Sequence, residues 1–510
     1  MRVDDSGMNS ETHSAPRVGQ IMNGRLPLLL TVAAAVVAGS VMIGYLTSSF
    51  DYKALVALVV VVAVVWFVMK WPQWGLVPLL AFTSTVTAPE FFAAVVTPNT
   101  VYYAIELLLF LIVAASILAA DRTRLAGEPG AFHRIYSSPQ AIAVILFLGI
   151  VVIKSMAVMI EYRFGGGSIG QMYVFNRGLS FYILFIPVLL LMNTEARQKW
   201  MVRVLFVFAS LIMMRVLLEL LVPALPIFKM VSVAQPLADE TPTVDLSVQR
   251  LRAPGGTIVL VCFWIGLMNI ILRPWKRRLL AVFIPLTLVM LVGILLEFNR
   301  SYVIPMMLLV VLSLLLNKKM VRVKLLTTVL ITIIGLVLVF AATGQLGKYY
   351  DAVIVRYGSA FSSQTMESQS IVSREIEQTY AWQAIRNSPL LGIGLNELYR
   401  PPVPGMMDNL RFYIHNSYIW FWTYYGILGL SAFLGMMAVA ILRSIFYWKQ
   451  IRDPLLQASL LGFAFSVATL MAANIAAPKF YDFATVPVVA LMLGMTEAIC
   501  LASRNKKSAG

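Results

Sequence analysis

Apolar residues along this chain fall into long uninterrupted runs separated by shorter polar segments. A helix of about 20 apolar residues crosses the hydrocarbon core of a bilayer, whereas the strands of a membrane barrel show short alternating segments. Because backbone groups in lipid must be satisfied internally, long runs indicate helices. The pattern predicts an all-α, polytopic membrane protein with about 12–14 transmembrane helices. The candidate spans are 26–46, 53–70, 74–89, 101–120, 139–160, 178–193, 201–222, 255–272, 279–297, 301–317, 325–343, 416–442, 455–475 and 483–501.

The polar connections between these runs divide into short basic clusters and two long loops. Clusters such as RPWKRR and NKKMVRVK gather Lys and Arg on alternate connections, as the positive-inside rule requires of cytoplasmic segments. With the N-terminus inside, the two long loops lie outside. The predicted order is a cytoplasmic tail at 1–25, transmembrane helices at 26–343 with a smaller outer loop near 223–254, a large outer loop at 344–415, transmembrane helices at 416–501 and a cytoplasmic tail at 502–510.

The composition agrees with a membrane protein and excludes several other classes. Of 510 residues, 60% are hydrophobic and 13% are charged, and the mean hydropathy is +0.82, whereas about a quarter of the residues in soluble domains are charged. The net charge of +16 is concentrated in the inner clusters, so it gives no reason to expect nucleic acid. Cys262 and Cys500 both lie in apolar runs, which excludes a disulfide framework and a thiolate metal site.

The large outer loop contains signals of ordered structure. The stretch SREIEQTYAWQAIRNSP predicts an amphipathic helix that begins at an N-cap, Ser373, and ends before Pro389. A glycine-containing turn, LLGIGLNELY, and the rigid segment PPVPG follow. Glu375 and Glu377 fall on different faces of this helix, so they are not expected to act as a pair. A solvated helix face is the simple interpretation of both.

Three cationic or titratable residues open spans on the outer side: Arg177, Arg300 in a very short turn, and His415. Two guanidinium groups at the level of the head groups could clamp a phosphate-bearing lipid, and a neutral histidine could take a proton from a hydroxyl nucleophile. Simpler interpretations stay open. An interfacial arginine can extend to the head groups, and His415 and Asn416 can cap the helix that follows them.

Charged residues inside the predicted spans are few. Arg215 and Glu219 lie four residues apart on one span and are expected to neutralise each other. Lys154 and Glu106 could pair between spans. A charged residue inside a membrane span often has a functional role. A charge that is neutralised by a partner gives less reason to expect one.

A set of short motifs resembles a known family, the O-antigen ligase and polymerase superfamily. The motifs of that family, in the same order and at similar spacing, match Ser373–Arg374, Trp382, Ala384, SPLLGIGL at 388–395, His415–Asn416–Ser417–Tyr418 and GILGL at 426–430. In addition, Asn299–Arg300–Ser301 stands where the family has a Ser–Arg pair before an apolar span. The resemblance covers residues 290–445, and the N-terminal half matches only as a set of spans.

The resemblance implies a membrane glycosyltransferase with a GT-C-like helical architecture, located in the bacterial inner membrane with its active site facing the periplasm. Such enzymes take a glycan from an undecaprenyl-diphosphate carrier. A ligase passes it to a lipid A–core sugar and a polymerase passes it to another carrier-linked repeat unit; the motifs do not separate the two. The partners expected from the resemblance are the carrier-linked donor, a glycan or lipid A–core acceptor, and membrane lipids, with no nucleic acid.

The resemblance also assigns roles to residues. His415 matches the histidine that assists the acceptor hydroxyl, Arg300 matches the arginine that holds the diphosphate, and Arg177 is a weaker match to a second arginine. Further candidates for an accessory role are Asn416, Arg374, Arg386 and Gly394, although the two arginines could equally form ion pairs with acids of the same loop. The chain departs from the family at Asn299, where Ser is usual, and at Tyr399, where Phe is commoner. Neither change removes a charge.

Neither a metal nor another cofactor is expected. Transferases of this architecture often hold a divalent ion with acidic residues in the first outer loop, which here offers only Asp51, and the chain has no D-x-D sequence. Two other classes stay open: a flippase or transporter for lipid-linked sugars, and a structural partner in a polysaccharide export complex. A flippase accounts for the spans and the basic inner loops, but it accounts poorly for an outer loop with a helix, a glycine turn and a histidine.

Overall fold

The computed structural model describes residues 52–84, 98–124, 130–165, 177–222, 234–236, 249–251, 255–272, 277–297, 300–316, single positions between 323 and 351, 369–395, 397–403 and 411–508. The chain divides into two units, Met1–Lys70 and Trp71–Gly510. Within the first unit the structure describes helix α1, Tyr52–Lys70. All contacts discussed below lie within the second unit.

The described part of the second unit consists of helices and one short hairpin. The helices are α2 Pro72–Ser84, α3 Pro98–Arg124, α4 Ala131–Tyr136, α5 Pro139–Gly165, α6 Arg177–Leu191, α7 Glu195–Leu221, α8 Gly256–Leu272, α9 Arg277–Leu296, α10 Arg300–Leu316, α11 Gln369–Asn387, α12 Ser417–Tyr447, α13 Pro454–Ala473 and α14 Val486–Ser508. Helix α6 contains a 3-10 turn, Phe181–Leu184. The hairpin pairs β1, Ala234–Pro236, with β2, Gln249–Leu251, antiparallel. It lies in the smaller outer loop, where the sequence predicted no strand.

The all-α, polytopic membrane class is confirmed. Within the described residues six helices are long and apolar enough to cross a membrane: Tyr102–Arg122, Pro139–Ala157, Glu195–Glu219, Ser417–Gln450, Pro454–Ala473 and Val486–Arg504. Shorter apolar helices coincide with further predicted spans. The predicted span 26–46 lies outside the described residues, and 325–343 has only single described positions. The count of 12–14 transmembrane helices therefore stays a prediction.

Helix α14 is the most buried of the six long membrane helices in the described part of the chain. Its apolar window is 83% buried, against 28–61% for the other long membrane helices. It packs against α6 and α12, the two helices whose outer ends carry Arg177 and His415, and also against α13. Gly494 permits a close approach to α6, because a Cβ there would lie 2.7 Å from the Cβ of Val188. A single buried helix thus supports both elements that present the candidate residues.

Helix α12 is broken near its outer end. Gly426 has φ 69° and ψ −175°, which interrupts the helical backbone. A break at membrane depth frees backbone groups that need partners. The turn 388–395 supplies them: Ile427 N–H donates to the Pro389 carbonyl at 3.0 Å, and Ile393 N–H donates to the Thr423 carbonyl at 2.8 Å.

The glycine motif of the outer loop is explained by this contact. Gly392 has φ 70°, and a Cβ there would lie 2.6 Å from the backbone nitrogen of Gly426. A Cβ on Gly426 would in turn overlap the carbonyl of Leu390. Two glycines therefore face each other where the turn meets the broken helix. The motif is needed for backbone packing beside the site.

The helix predicted in the large outer loop exists, although its predicted start was wrong. Helix α11 begins at Gln369, four residues before the expected N-cap at Ser373. The residues between them, QSIV, contain no helix breaker, so the helix extends backwards through them. Its end at Asn387 is confirmed. Pro389 disfavours the helical conformation for the residue before it, which stops the helix there.

Candidate active site

The site is built around the short segment that leads into α12. Asn416 is the N-cap of that helix: its side-chain oxygen accepts hydrogen bonds from the N–H groups of Tyr418 at 2.9 Å and Ile419 at 3.2 Å. The capping interpretation of Asn416 is therefore confirmed. It fixes His415 immediately before the first turn of α12, where the chain changes from extended to helical.

Three tyrosine hydroxyls hold the segment before His415, which we call the histidine strap, residues 412–414. Each hydroxyl donates a hydrogen bond to a different backbone carbonyl of the strap, and each comes from a different part of the chain. The bonds are Tyr424 to Phe412 at 3.2 Å, Tyr399 to Tyr413 at 2.9 Å and Tyr481 to Ile414 at 3.0 Å. The backbone that carries His415 is thus attached to α12, to the segment after the glycine turn and to the loop after α13.

Glu377 of α11 contacts the imidazole directly. Its Oε2 lies 2.8 Å from His415 Nδ1 and also accepts the His415 backbone N–H at 3.2 Å. Glu377 is only 4% exposed, so the prediction that it lies on a solvated helix face was wrong. Glu375 is exposed, as predicted. The two acids lie on different faces of α11, and only the face with Glu377 is turned toward His415. The sequence did not identify Glu377 as a site residue.

This contact determines which imidazole nitrogen is available for chemistry. A carboxylate only accepts hydrogen bonds, so Nδ1 carries the hydrogen when it faces Glu377. In the neutral ring Nε2 is then the acceptor. The His415 side chain is 32% exposed, which leaves the ring accessible from one side. The arrangement can take up a proton at Nε2 and stabilise the resulting imidazolium with a buried carboxylate.

The tyrosines beside His415 stay protonated at working pH. The Tyr413 ring packs edge-on against the imidazole, with the ring centres 4.8 Å apart. The pKa of Tyr413 is raised to about 12, chiefly by burial; the charges of Lys479 and Arg374 lower it, and those of Glu377 and Asp482 raise it. Burial also raises the pKa of Tyr481 well above its usual range. Both phenols can donate hydrogen bonds, and neither is suited to remove a proton.

Arg177 begins α6 and is tightly packed. Its Nε lies 3.1 Å from Glu106 Oε1, and its guanidinium carbon lies 4.0 Å from the centre of the Tyr102 ring. The side chain is 9% exposed, so it does not extend freely into the head groups. Glu106, which the sequence suggested as a partner of Lys154, contacts Arg177. One carboxylate therefore offsets part of the charge that Arg177 could offer to a phosphate.

Arg300 is the first residue of α10, and its side chain lies outside the described part of the structure. Its helix is nevertheless tied to the same region. Tyr302, two residues later, is buried, and the Lys479 ammonium lies 5.8 Å from the centre of its ring. Lys479 comes from the loop that follows α13. That loop brings a cationic side chain next to the start of the Arg300 helix.

The loop at 474–485 contacts the starts of all three helices that carry the predicted residues. Gly178, next to Arg177, touches it so closely that a Cβ there would overlap the carbonyl of Tyr481. The Tyr481 hydroxyl holds the histidine strap, and Lys479 reaches α10. The structure thus brings the starts of α6, α10 and α12 together around one loop, which the sequence did not identify. Its mixture of Lys, Asp and aromatic residues between two apolar spans was the available signal.

Asn474 fixes the shape of that loop. Its side-chain oxygen accepts hydrogen bonds from the N–H groups of Lys479 at 2.7 Å and Phe480 at 3.1 Å, and from the hydroxyl of Ser417 at 2.6 Å. Asn474 is fully buried. One amide therefore joins the end of α13, the Lys479 backbone and the first residue of α12.

The remaining accessory candidates, Arg374, Arg386 and Gly394, differ in how they are placed relative to Glu377 and His415. Arg374 lies three residues before Glu377 on α11, and its Nε is buried with no hydrogen-bond partner among the described residues. Arg386 is exposed, nine residues after Glu377, which is about 13 Å farther along the helix, so the structure does not bring it to His415. Gly394 has φ 88° and open space around it, so it shapes the turn; the close contact is made by Gly392.

No three His, Cys, Asp or Glu side chains lie close enough to hold a metal ion in the parts of the chain that the structure describes. The cationic side chains that border the loop at 474–485 suit an anion instead. Arg177 and Lys479 carry positive charge there, and Arg300 begins a helix at the same place. Guanidinium and ammonium groups with such an arrangement can hold phosphate oxygens.

Fold and site together define a multi-pass α-helical membrane protein in which a buried carboxylate contacts a partly exposed histidine at the start of one helix, with cationic residues near it. The family model for O-antigen ligase matches residues 285–434, which include Arg300, Glu377 and His415. The match covers less than a third of the chain, and it supports the resemblance to the O-antigen ligase and polymerase superfamily that the motifs indicate. Members of that superfamily are glycosyltransferase-like ligases and polymerases. A comparison with curated proteins finds no match.

Proposed function

We propose that the chain is a metal-independent membrane glycosyltransferase. It takes a glycan from an undecaprenyl-diphosphate carrier and joins it to an acceptor sugar on the periplasmic face of the bacterial inner membrane. The observation that carries the proposal is the 2.8 Å contact between Glu377 and His415, because it prepares Nε2 to receive a proton. Between the two activities of the superfamily we favour the ligase, the one by which the matching family model is described.

In the proposed reaction the acceptor hydroxyl oxygen attacks the anomeric carbon of the carrier-linked glycan. A new C–O bond forms while the bond from that carbon to the diphosphate oxygen breaks, and the diphosphate leaves with the electron pair. The hydroxyl proton passes to Nε2 of His415, and Glu377 stabilises the imidazolium through Nδ1. General-base assistance of this kind contributes about 10²–10⁴ in rate.

The departing diphosphate gains negative charge as the bond breaks. We assign its stabilisation to Arg300 and Arg177, the two arginines implied by the family, and add Lys479 from the loop at 474–485. Lys479 is supported by its position over Tyr302 and by its side chain, which is 31% exposed. Its acidic neighbour Asp482 lies 3.7 Å away, a loose contact that a phosphate can replace. Preorganised donors aimed at developing charge are each worth about 10²–10³ in rate.

The test is a transfer assay with purified protein in detergent and EDTA. The donor is an undecaprenyl-diphosphate-linked glycan, and the acceptor is either lipid A–core or more donor. His415→Ala is compared with His133→Ala, which removes an exposed histidine on α4 and serves as the matched control. We expect product on lipid A–core with the wild type and with His133→Ala, and its loss in His415→Ala.

Other outcomes separate the alternatives. Longer glycans on the carrier alone would identify a polymerase that uses the same site. Transfer that survives in His415→Ala would contradict the proposed base. Movement of the donor across vesicle membranes, with no product on either acceptor, would overturn the enzyme and support a flippase.

A further inference from the structure

The glycine turn of the outer loop exposes large apolar side chains. Leu390 is 64% exposed and Leu391 is 59% exposed, and Trp382 on the adjoining helix α11 is 41% exposed. The Trp382 ring packs edge-on against Trp422, whose indole N–H donates to the Pro389 carbonyl, so the tryptophan lies beside the two leucines in one apolar patch. In water such a patch is costly and marks a site of interaction with another protein or a membrane.

Backbone hydrogen bonds fix the turn at a particular height on α12. The Pro389 carbonyl accepts both the Ile427 N–H at 3.0 Å and the Trp422 indole N–H at 3.1 Å. On the other side, Ile393 N–H donates to the Thr423 carbonyl. The turn therefore lies beside residues 422–427 of α12 and cannot move along the helix without losing these bonds.

The neighbouring helix α13 shows how deep residues 422–427 lie. Ser417, the first residue of α12, is bonded to Asn474, directly after the last residue of α13. Helix α13 has 20 residues, about 30 Å, which equals the thickness of the hydrocarbon core. Ser417 thus marks the outer boundary of the hydrocarbon. Gly426, nine residues later, lies up to about 13 Å below it.

The apolar patch is also continuous with the lipid-facing side of α12. Leu428, one residue after the hydrogen-bonded Ile427, is 53% exposed, and more exposed apolar residues follow toward the inner end of the helix. Part of the irregular backbone of the turn is hydrogen-bonded, as this depth requires: Gly392 N–H donates to the Ser388 carbonyl at 2.9 Å, besides the bonds to α12.

We propose that the turn 388–395 is inserted into the outer leaflet, with Leu390 and Leu391 in contact with lipid acyl chains. The large outer loop is then not wholly in the aqueous phase. Part of it returns into the membrane beside the broken helix, below His415. This proposal does not rest on the transfer reaction, and its test uses no measurement of activity.

The test places single cysteines in the full-length chain, reconstituted in phospholipid nanodiscs. Leu390→Cys and Leu391→Cys are compared with Gln378→Cys, an exposed polar position on α11, and with Leu428→Cys on the lipid-facing side of α12. The native Cys262 and Cys500 are buried, so the unsubstituted chain gives the background. Labelling after unfolding in detergent confirms equal thiol content, and two leucine variants guard against one that fails to fold.

With a membrane-impermeant maleimide we expect Leu390→Cys and Leu391→Cys to react at least about tenfold more slowly than Gln378→Cys, since a rise of one unit in the thiol pKa in apolar surroundings cuts the thiolate fraction tenfold. A small membrane-permeant fluorescent label at these positions should be quenched by brominated acyl chains, as at Leu428→Cys, and weakly by iodide. Reaction at the Gln378→Cys rate, or quenching by iodide alone, would overturn the insertion. Protection from both quenchers would also overturn it, because protein rather than lipid would then cover the turn.

Discussion

Glu377 Oε2 and His415 Nδ1 lie 2.8 Å apart although 38 residues separate them in the chain. The two residues belong to different elements, since Glu377 is in the middle of α11 and His415 precedes α12. The packing of α11 against the outer end of α12 buries the carboxylate and leaves the imidazole partly exposed. In our proposal the large outer loop therefore orients His415 and stabilises its charged form through Glu377.

Replacing the carboxylate tests this role of the loop. We expect Glu377→Gln to lower kcat by about 10²-fold, within the range for general-base catalysis, because an amide cannot stabilise the imidazolium. The KM for both substrates should change little. Glu375→Gln, on the exposed face of the same helix, should retain full activity. The measurement is steady-state kinetics of both variants in the transfer assay, and equal kcat values for the two would contradict the role of Glu377.

The apolar spans and the position of His415 at the start of one of them could be predicted from the sequence, because a long apolar run identifies a membrane helix without any tertiary information. The pairing of Glu377 could not. Glu375 and Glu377 are the same residue type on one helix, and only the packing of α11 decides which of them is buried. Lys479 was missed for a similar reason: its importance depends on contacts of a short loop with three separate helix ends.

The three tyrosine hydroxyls that hold the histidine strap can be removed one at a time. Each of Tyr399→Phe, Tyr424→Phe and Tyr481→Phe leaves a carbonyl without its donor, which costs about 1–3 kcal/mol if the group is buried. We expect a lower thermal unfolding temperature and a lower kcat with little change in KM. The exposed Tyr136→Phe serves as control and should change neither. Variants that lose stability but keep the wild-type kcat would show that the strap does not position His415.

The two facing glycines give a test of the broken helix. Gly392→Ala and Gly426→Ala each force a side chain onto a positive φ, at a cost of about 1–2 kcal/mol, and also into the opposite backbone. Both should lower the thermal unfolding temperature and the yield of monodisperse protein. Gly435→Ala on the same helix meets no atom within 4 Å and should unfold at the wild-type temperature or above it, because alanine favours a helix over glycine. Equal stability of all three variants would contradict the close contact between turn and helix.

The pKa of Tyr413 predicts a loss of stability at alkaline pH. The free phenol ionises near pH 10, whereas the buried phenol ionises at about 12, so the unfolded chain releases its proton first. The contribution of Tyr413 is therefore fully present below pH 10 and is lost as the pH rises toward 12. In urea or detergent unfolding measured from pH 8 to about 11.5, the wild type should lose more stability than Tyr413→Phe. Parallel pH profiles of the two proteins would contradict a buried, neutral phenol.

Lys479 is the one cationic residue that we add to the diphosphate site from the structure. A hydrogen bond to a charged group is worth about 1.5–3 kcal/mol, so Lys479→Met should weaken binding of undecaprenyl diphosphate by roughly 10–100-fold. Lys449→Met removes an exposed lysine at the other end of α12 and serves as control. Asp482→Asn should have the opposite effect and strengthen binding, because Asp482 competes with the diphosphate for the same ammonium group. Binding is measured directly with the carrier diphosphate, at two salt concentrations. If Lys479→Met binds as tightly as Lys449→Met, Lys479 does not contact the diphosphate, and the arginines alone must hold it.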